Sequence, residues 1–299
     1  MLTRLWSRRR TMIAASVAGV AVLAGVGVLV ARSVGGDQST PAPNVALSVE
    51  QYRDDEVAHA IQIAVTNHEP GPITIDEVEF DSPDFTPTGR VGYDAEPVPP
   101  GGLQIDFKTP YGKGRCDGVT VPAHAGPATA VLRMQSADGT ADDYRYPLAD
   151  PKGLLDRLLV ADCRQVLVAN IADIGFGDTW TVTRGGSQPV LHGTVDLHRT
   201  NLDRTVAVTD ILGSVLFEFH KPDRAPLATL LKGATQASFP ISVTTPRCTG
   251  HAFGESKQTY YFRVWVSIDD AEPVGVTFVP DARAKDALHG LQQLCPPEE

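Results

Sequence analysis

TPYGKGRCDG, residues Thr109–Gly118, and TPRCTG, residues Thr245–Gly250, are one phrase written twice. Each follows a strand-like run and delivers a cysteine. Cys163 lies 47 positions after Cys116, and Cys295 lies 47 positions after Cys248. Their cysteines, Cys116 and Cys248, stand 132 residues apart, the signature of a duplicated unit. Four cysteines allow three connectivities. Only Cys116–Cys163 with Cys248–Cys295 treats both copies alike, so that pairing is predicted. The main difference between copies is an insert, Tyr111-Gly112-Lys113-Gly114, found only in the first.

Outward from these phrases the chain alternates with period two, the mark of half-buried strands. Val45–Val49 opens the first copy, followed by Ile61, Ile63 and Val65, and later by Leu103, Ile105 and Phe107. Ile73 and Ile75 keep one parity while Val78 and Phe80 keep the other, which predicts a bulge near Asp76-Glu77. Further strands are predicted over Ala128–Met134 and Tyr144–Leu148, joined by a turn at Asp138-Gly139. In the second copy Trp180 and Val182 match Leu47 and Val49, Val195 and Leu197 match Ile63 and Val65, and Val206 and Val208 match Ile73 and Ile75. Phe239, Ile241 and Val243 match Leu103, Ile105 and Phe107; Tyr260–Val266 and Val274–Phe278 complete the set. Asp81–Gly101 and Gly213–Gln236 do not align and read as loops or short extra strands, with Val215, Phe217 and Phe219 able to add one.

A short helix is predicted to close each copy. Asp150 suits an N-cap and Pro151 the first helical position; Leu155, Leu158 and Leu159 make a stripe that Cys163 continues four residues on. Asp281 starts the second helix, and Cys295 lies four beyond Leu291. Spacing of four turns each cysteine inward. The chain-entropy model gives each ring about 4 kcal/mol.

The N-terminus is a different kind of sequence. Met12–Ala31 is twenty residues without a charge, about what a helix needs to cross a bilayer. Arg4, Arg8, Arg9 and Arg10 precede it, which places the N-terminus in the cytoplasm and the remainder outside. A cleavable signal peptide is the alternative, with Ala31-Arg32-Ser33 as a weak site, although such apolar cores run to only about 7–15 residues. Ser33–Asn44, rich in Gly, Ser and Pro, reads as a flexible spacer. The expected organisation is a cytoplasmic tail over 1–11, a transmembrane helix over 12–31, a linker over 32–44, repeat 1 over 45–163, an interdomain segment over 164–177, repeat 2 over 178–295 and a tail over 296–299. The apolar 164–177 segment is expected to pack between the repeats or to add a strand.

Beyond Gly36 there are 21 basic and 36 acidic residues, a formal charge of −15. Such a surface speaks against nucleic acid and anionic headgroups as partners. Cysteines outside the membrane sit where disulfides persist, and without Cys-x-x-Cys there is no zinc-ribbon or thioredoxin signature.

Six or seven short strands per copy between Gly and Pro turns predict a mainly β chain. In it, the transmembrane helix leads into two tandem β-sandwich, immunoglobulin-like domains. The chain lacks the immunoglobulin pattern of two strand cysteines around a core Trp, so the likeness is architectural. With many Ala, Val, Arg and Asp and few Lys and Asn, it resembles single-pass envelope proteins of high-GC bacteria with immunoglobulin-like ectodomain repeats. Its motifs match no named family.

No cofactor, nucleotide-binding or hydrolase motif is present in the sequence. His192 and His198 share a strand face about 20 Å apart, too far to share a metal ion. His251, beside Cys248, has no identifiable partner. Three acidic clusters, Asp54-Asp55-Glu56, Asp138 with Asp142-Asp143, and Asp269-Asp270 with Glu272, could offer oxygens to calcium or serve backbone turns. Tyr260, Tyr261, Phe262 and Trp265 are the densest aromatic group and the candidate binding surface, with one parity in the core and the other outward. The leading expectation is a non-catalytic membrane-anchored protein whose repeats bind or position another extracytoplasmic component. The alternatives are an extracytoplasmic enzyme with a dispersed site and a spacer without a specific ligand.

Overall fold

A computed structural model describes residues 41–135, 140–184, 188–247, 256 and 258–295. The predicted membrane span, most of the linker, the Asp138-Gly139 turn, Cys248, His251 and the tail over 296–299 lie outside the described residues. Among the described residues no helix is long and apolar enough to cross a membrane.

The chain is mainly β. Its first half runs β1 (Val45–Glu50), α1 (Arg53–Ala58), β2 (Ala60–Asn67), β3 (Ile73–Asp81), β4 (Val91–Val98), β5 (Gln104–Pro110), β6 (Thr129–Gln135), β7 (Ala141–Pro147) and α2 (Leu154–Ile171). Its second half runs β8 (Ala172–Phe176), β9 (Thr181–Thr183), β10 (Val190–Arg199), β11 (Val206–Leu212), β12 (Glu218–His220), β13 (Ala228–Leu230), β14 (Gln236–Thr244), β15 (Phe262–Ile268), β16 (Val274–Phe278) and α3 (Ala282–Gln293). The first half holds sheets ordered β1-β2-β5 and β4-β3-β6-β7. The second holds β8-β10-β14-β12, with β9 also beside β10, and β13-β11-β15-β16. Apart from β9 and β12, the strand orders coincide, and the pairings along them are antiparallel.

Local detail follows the residues. The register of β3 shifts between Ile75 and Glu77 against both neighbours, so Asp76 is the bulged residue. β11 shifts at the matching place, between Val208 and Asp210. Strand β2 is buried on both faces, because α1 lays Asp55 over Gln62 while Ile61, Ile63 and Val65 face the core. Leu103, expected to point inward, falls outside β5 and is exposed, whereas Phe107 is buried.

The pairing register corrects one sequence match. Leu47 and Val49 sit opposite Val65 and Ile63. Opposite the equivalent Leu197 and Val195 stand Ile174 and Phe176, not Trp180 and Val182. The apolar stretch after Cys163 therefore supplies the first strand of the second half. Val182 pairs instead with Leu191 at the other end of β10.

The helix after β7 also differs from expectation. It is not short: its 18 residues make a rod of about 27 Å. Its Leu155, Leu159 and Cys163 join the core of the first half. The stripe then continues through Leu167, Val168 and Ile171 into the core of the second. One helix thus serves both cores and passes directly into β8. Asp150 caps it from upstream rather than as the adjoining residue. Gly153, in the left-handed region at φ 60°, precedes the first turn, while the Asp150 carboxylate accepts from the Leu154 and Leu155 N–H groups at 2.7 and 2.8 Å. In α3 the cap is the expected one, with Asp281 accepting from the Ala284 N–H at 2.7 Å.

Candidate functional site

Cys116 and Cys163 are disulfide-bonded, tying the Arg-Cys-Asp-Gly turn to the inward face of α2. Asp117 shapes that turn by accepting from the Thr120 hydroxyl and from the Thr120 and Val119 N–H groups. These bonds lower its carboxyl to about 2. Cys295 is likewise not a free thiol.

The four aromatic residues of the second half do not form one strip. Phe262 is core, edge-on to Phe219 at 4.8 Å. Tyr260 stacks on Phe217 at 5.9 Å and donates to Gln292 Oε1 at 3.4 Å; burial raises its pKa. Trp265 lies on the outer face of β15, across from Gly275. Tyr261, just before β15, accepts from the Thr277 hydroxyl at 3.1 Å and looks into a cleft.

That cleft, about 560 Å³, is where the halves meet. The first half supplies Gln51, Glu56, His59 and Tyr111; α2 supplies Leu158, Asp162 and Gln165; the second half supplies Tyr261, Arg263 and the edge strand β16. Gln165 bridges two of these walls, accepting from the Thr277 N–H at 2.9 Å as a neighbouring strand would. Gln258 donates to Glu56 at 3.3 Å across the same junction.

The four-residue insert contributes Tyr111 to the lining. Tyr111 stacks against His59 with ring centroids 4.0 Å apart, and Phe85 meets the Tyr111 ring edge-on at 5.7 Å. A side chain at residue 112 would place its Cβ 1.7 Å from the Thr86 carbonyl, so only glycine fits there. Gly114 N–H then donates to Asp162 Oδ2 at 2.7 Å. Burial, reinforced by the Asp162 carboxylate, pushes the Tyr111 hydroxyl well above the ordinary tyrosine value. The hydroxyl stays protonated at physiological pH.

His59 is held unusually. It ends α1 in the left-handed region at φ 51° and ψ 49°, where helices usually place glycine. Its Nε2 faces Asp162 Oδ2 at 4.0 Å, beyond hydrogen-bond reach. That nitrogen is buried and has no partner among the described residues.

One carboxylate of each acidic cluster meets a cation. Asp55 meets Lys108 at 2.9 Å, Asp143 meets Arg90 at 2.6 Å, and Asp269 meets Arg204 at 2.8 Å. Among the described residues, no group of three or more His, Cys, Asp or Glu is placed to hold a metal ion. His192 hydrogen-bonds Ser242 at 2.8 Å, and His198 is exposed.

Sequence reasoning singled out the insert and Tyr261 but did not join them. Glu56 stood out only as part of an acidic cluster, and His59 and Asp162 carried no pattern, because the end of α1 and the middle of α2 bring them together only in the fold.

No protein-family model matches the chain, and no curated protein matches it. Among solved structures, a protein of unknown function from Porphyromonas gingivalis aligns at 10% identity over 74% of this chain and 90% of its own, with a TM-score of 0.20. The Amycolatopsis orientalis exo-chitosanase CsxA aligns at 14% identity over 77% of this chain, with a TM-score of 0.18. This chain spans only 26% of that enzyme. The B domain of a biofilm associated protein aligns at 6% identity over 78% of this chain and 84% of its own, with a TM-score of 0.22. At such TM-scores none of these likenesses bears on function.

Proposed function

We propose that the chain is a non-catalytic, membrane-anchored extracytoplasmic protein. In this reading the Met12–Ala31 segment is the anchor, and two tandem immunoglobulin-like β-sandwiches, products of duplication, bind or position another envelope component. The uncharged span behind a basic flank supports the anchor. The Cys116–Cys163 disulfide supports an oxidising compartment. Matching strand orders and matching bulges support the duplication.

One observation carries the binding role. The insert that distinguishes the first copy from the second puts Tyr111 into the cleft that both halves share and ties Gly114 to Asp162 there. A spacer without a ligand has no use for such an asymmetry.

The reading is tested in native membranes with the full chain carrying a photo-crosslinking residue at Gln165 or Arg263, in the cleft, or at Glu96, on the exposed strand β4. Crosslinks to a defined envelope component from the cleft positions alone are expected. Equal products from all three positions, or none, sink the binding role. A second reading, an extracytoplasmic enzyme, draws on the approach of His59 to Asp162 beside Tyr111. Turnover of a substrate by the purified chain, abolished in Asp162→Asn, would replace the first reading by this one.

A further inference from the structure

The charges of the cleft do not cancel one another. Arg90, Arg145, Arg204 and Arg283 each find a carboxylate. Arg263 meets none among the described residues, although Glu56 and Asp162 line the same cleft. Its stem lies over Gly275, where a Cβ would come 3.0 Å from Arg263 Cδ, so the strand opposite gives the side chain a bed. On the acidic side, the Gly114 N–H occupies Asp162 Oδ2, leaving Oδ1 without a bond among the described residues. Beside Asp162 stands the His59–Tyr111 stack, in which Tyr111 is buried and the His59 side chain is 42% exposed.

Two acids, a guanidinium that meets no carboxylate among the described residues and a ring stack beside Asp162 line one cleft and form a two-signed template. We propose that this cleft takes a ligand bearing both an ammonium and a carboxylate group, the ammonium at Glu56 and Asp162 and the carboxylate at Arg263. Its hydrocarbon part rests on the His59–Tyr111 stack. This rests on the cleft being the binding site. Charge-assisted hydrogen bonds at each end supply the specificity, and the acidic surface raises the local concentration of the ammonium end. The same two groups occur on free amino acids, on short peptides and on protein segments that pair Lys with Asp or Glu.

Calorimetry on the full chain in nonionic detergent, with 4-aminobutyrate, butylamine and butyrate as probes, tests this. We expect 4-aminobutyrate to bind at least about tenfold tighter than either single-charge probe, about 1.4 kcal/mol. Glu56→Gln and Asp162→Asn should each remove most of that advantage by weakening the ammonium end. Arg263→Gln should bring 4-aminobutyrate down to butylamine. Glu56 and Arg263 are exposed, so those two variants keep the test valid if Asp162→Asn folds poorly. Equal binding of all three probes, no binding by any, or binding indifferent to Glu56→Gln and Arg263→Gln overturns the proposal. Cleft-specific crosslinks that persist in that event leave the binding role standing and remove only the ligand class.

Discussion

Gly118 and Asn170 are in contact across the junction of the two halves: Asn170 Nδ2 donates to the Gly118 carbonyl at 3.1 Å, and a Cβ on residue 118 would lie 2.0 Å from that nitrogen. Gly118 also has φ 75°, a conformation other residues enter only at a cost. Asn170 passes the link onward, accepting from Asn201 Nδ2 at 3.2 Å and, through its carbonyl, from the Leu202 N–H at 2.7 Å. Glycine in the Arg-Cys-Asp-Gly phrase is therefore a docking requirement as well as a turn requirement.

Gly118→Ala should accordingly lower stability by about 2–3 kcal/mol, the sum of left-handed backbone strain and a displaced hydrogen bond. Asn170→Ala should cost about 1 kcal/mol, and the double variant should cost less than the sum, since both act on one contact. Chemical denaturation of the three variants checks this; strict additivity would show that the contact contributes nothing.

Asp55 gives a pH dependence with a definite sign. Burial alone would raise its pKa, but hydrogen bonds from Gln62 and Lys108 and from the Tyr52 N–H outweigh burial and hold it below the usual carboxylate value. A carboxyl whose folded pKa is depressed stabilises above its unfolded value of about 3.9 and loses that contribution as pH falls through the folded value. Asp55→Asn should therefore cost roughly 1–2 kcal/mol at pH 7, with the gap to the parent chain closing below about pH 4. Thermal melts of both proteins between pH 7 and pH 3 decide it. A gap independent of pH would mean that the carboxylate charge plays no part.

The residues that announced themselves in the sequence are those whose role is periodic. Ile61, Ile63 and Val65, or Phe239, Ile241 and Val243, declare a buried face by alternation alone. The parity change after Ile75 declared the bulge at Asp76, because a one-residue slip moves every side chain to the other face. Alternation could not say which strand lies beside which, and so Trp180 and Val182 were matched to Leu47 and Val49 although Ile174 and Phe176 hold that place. Nor could a stripe ending in Cys163 show that α2 continues, since Leu167 and Ile171 serve a different core. The cleft was legible only in part. The insert, Tyr261 and the Asp54-Asp55-Glu56 cluster stood out, but His59 and Asp162 are ordinary polar residues until the end of α1 and the middle of α2 converge.

The disulfide joins residues 47 positions apart and closes a ring that contains all of β6 and β7 and the first turns of α2. The chain-entropy model values such a ring at about 4 kcal/mol. Replacing Cys116 and Cys163 together by Ala should lose up to that amount, with a further cost from the space left by the buried Cys163 sulfur. The midpoint of denaturant unfolding under oxidising conditions measures it. An unchanged midpoint would mean that the unfolded ring is already compact.

The sharing of α2 by both cores makes the last prediction. Val166 is 38% exposed on the solvent side, between Cys163 in one core and Leu167 in the other. Val166→Pro removes a mid-helix hydrogen bond and costs about 3 kcal/mol without disturbing either apolar face directly. If the helix transmits order between the halves, the parent chain unfolds in one transition and Val166→Pro in two. Residues 164–176 should then become a protease site, while in the parent chain they resist cleavage. Val166→Ala, which keeps the helix, should behave like the parent. Cleavage of the folded parent within 164–176 would show the opposite, that the halves are joined by a tether and that the cleft between them has no fixed shape.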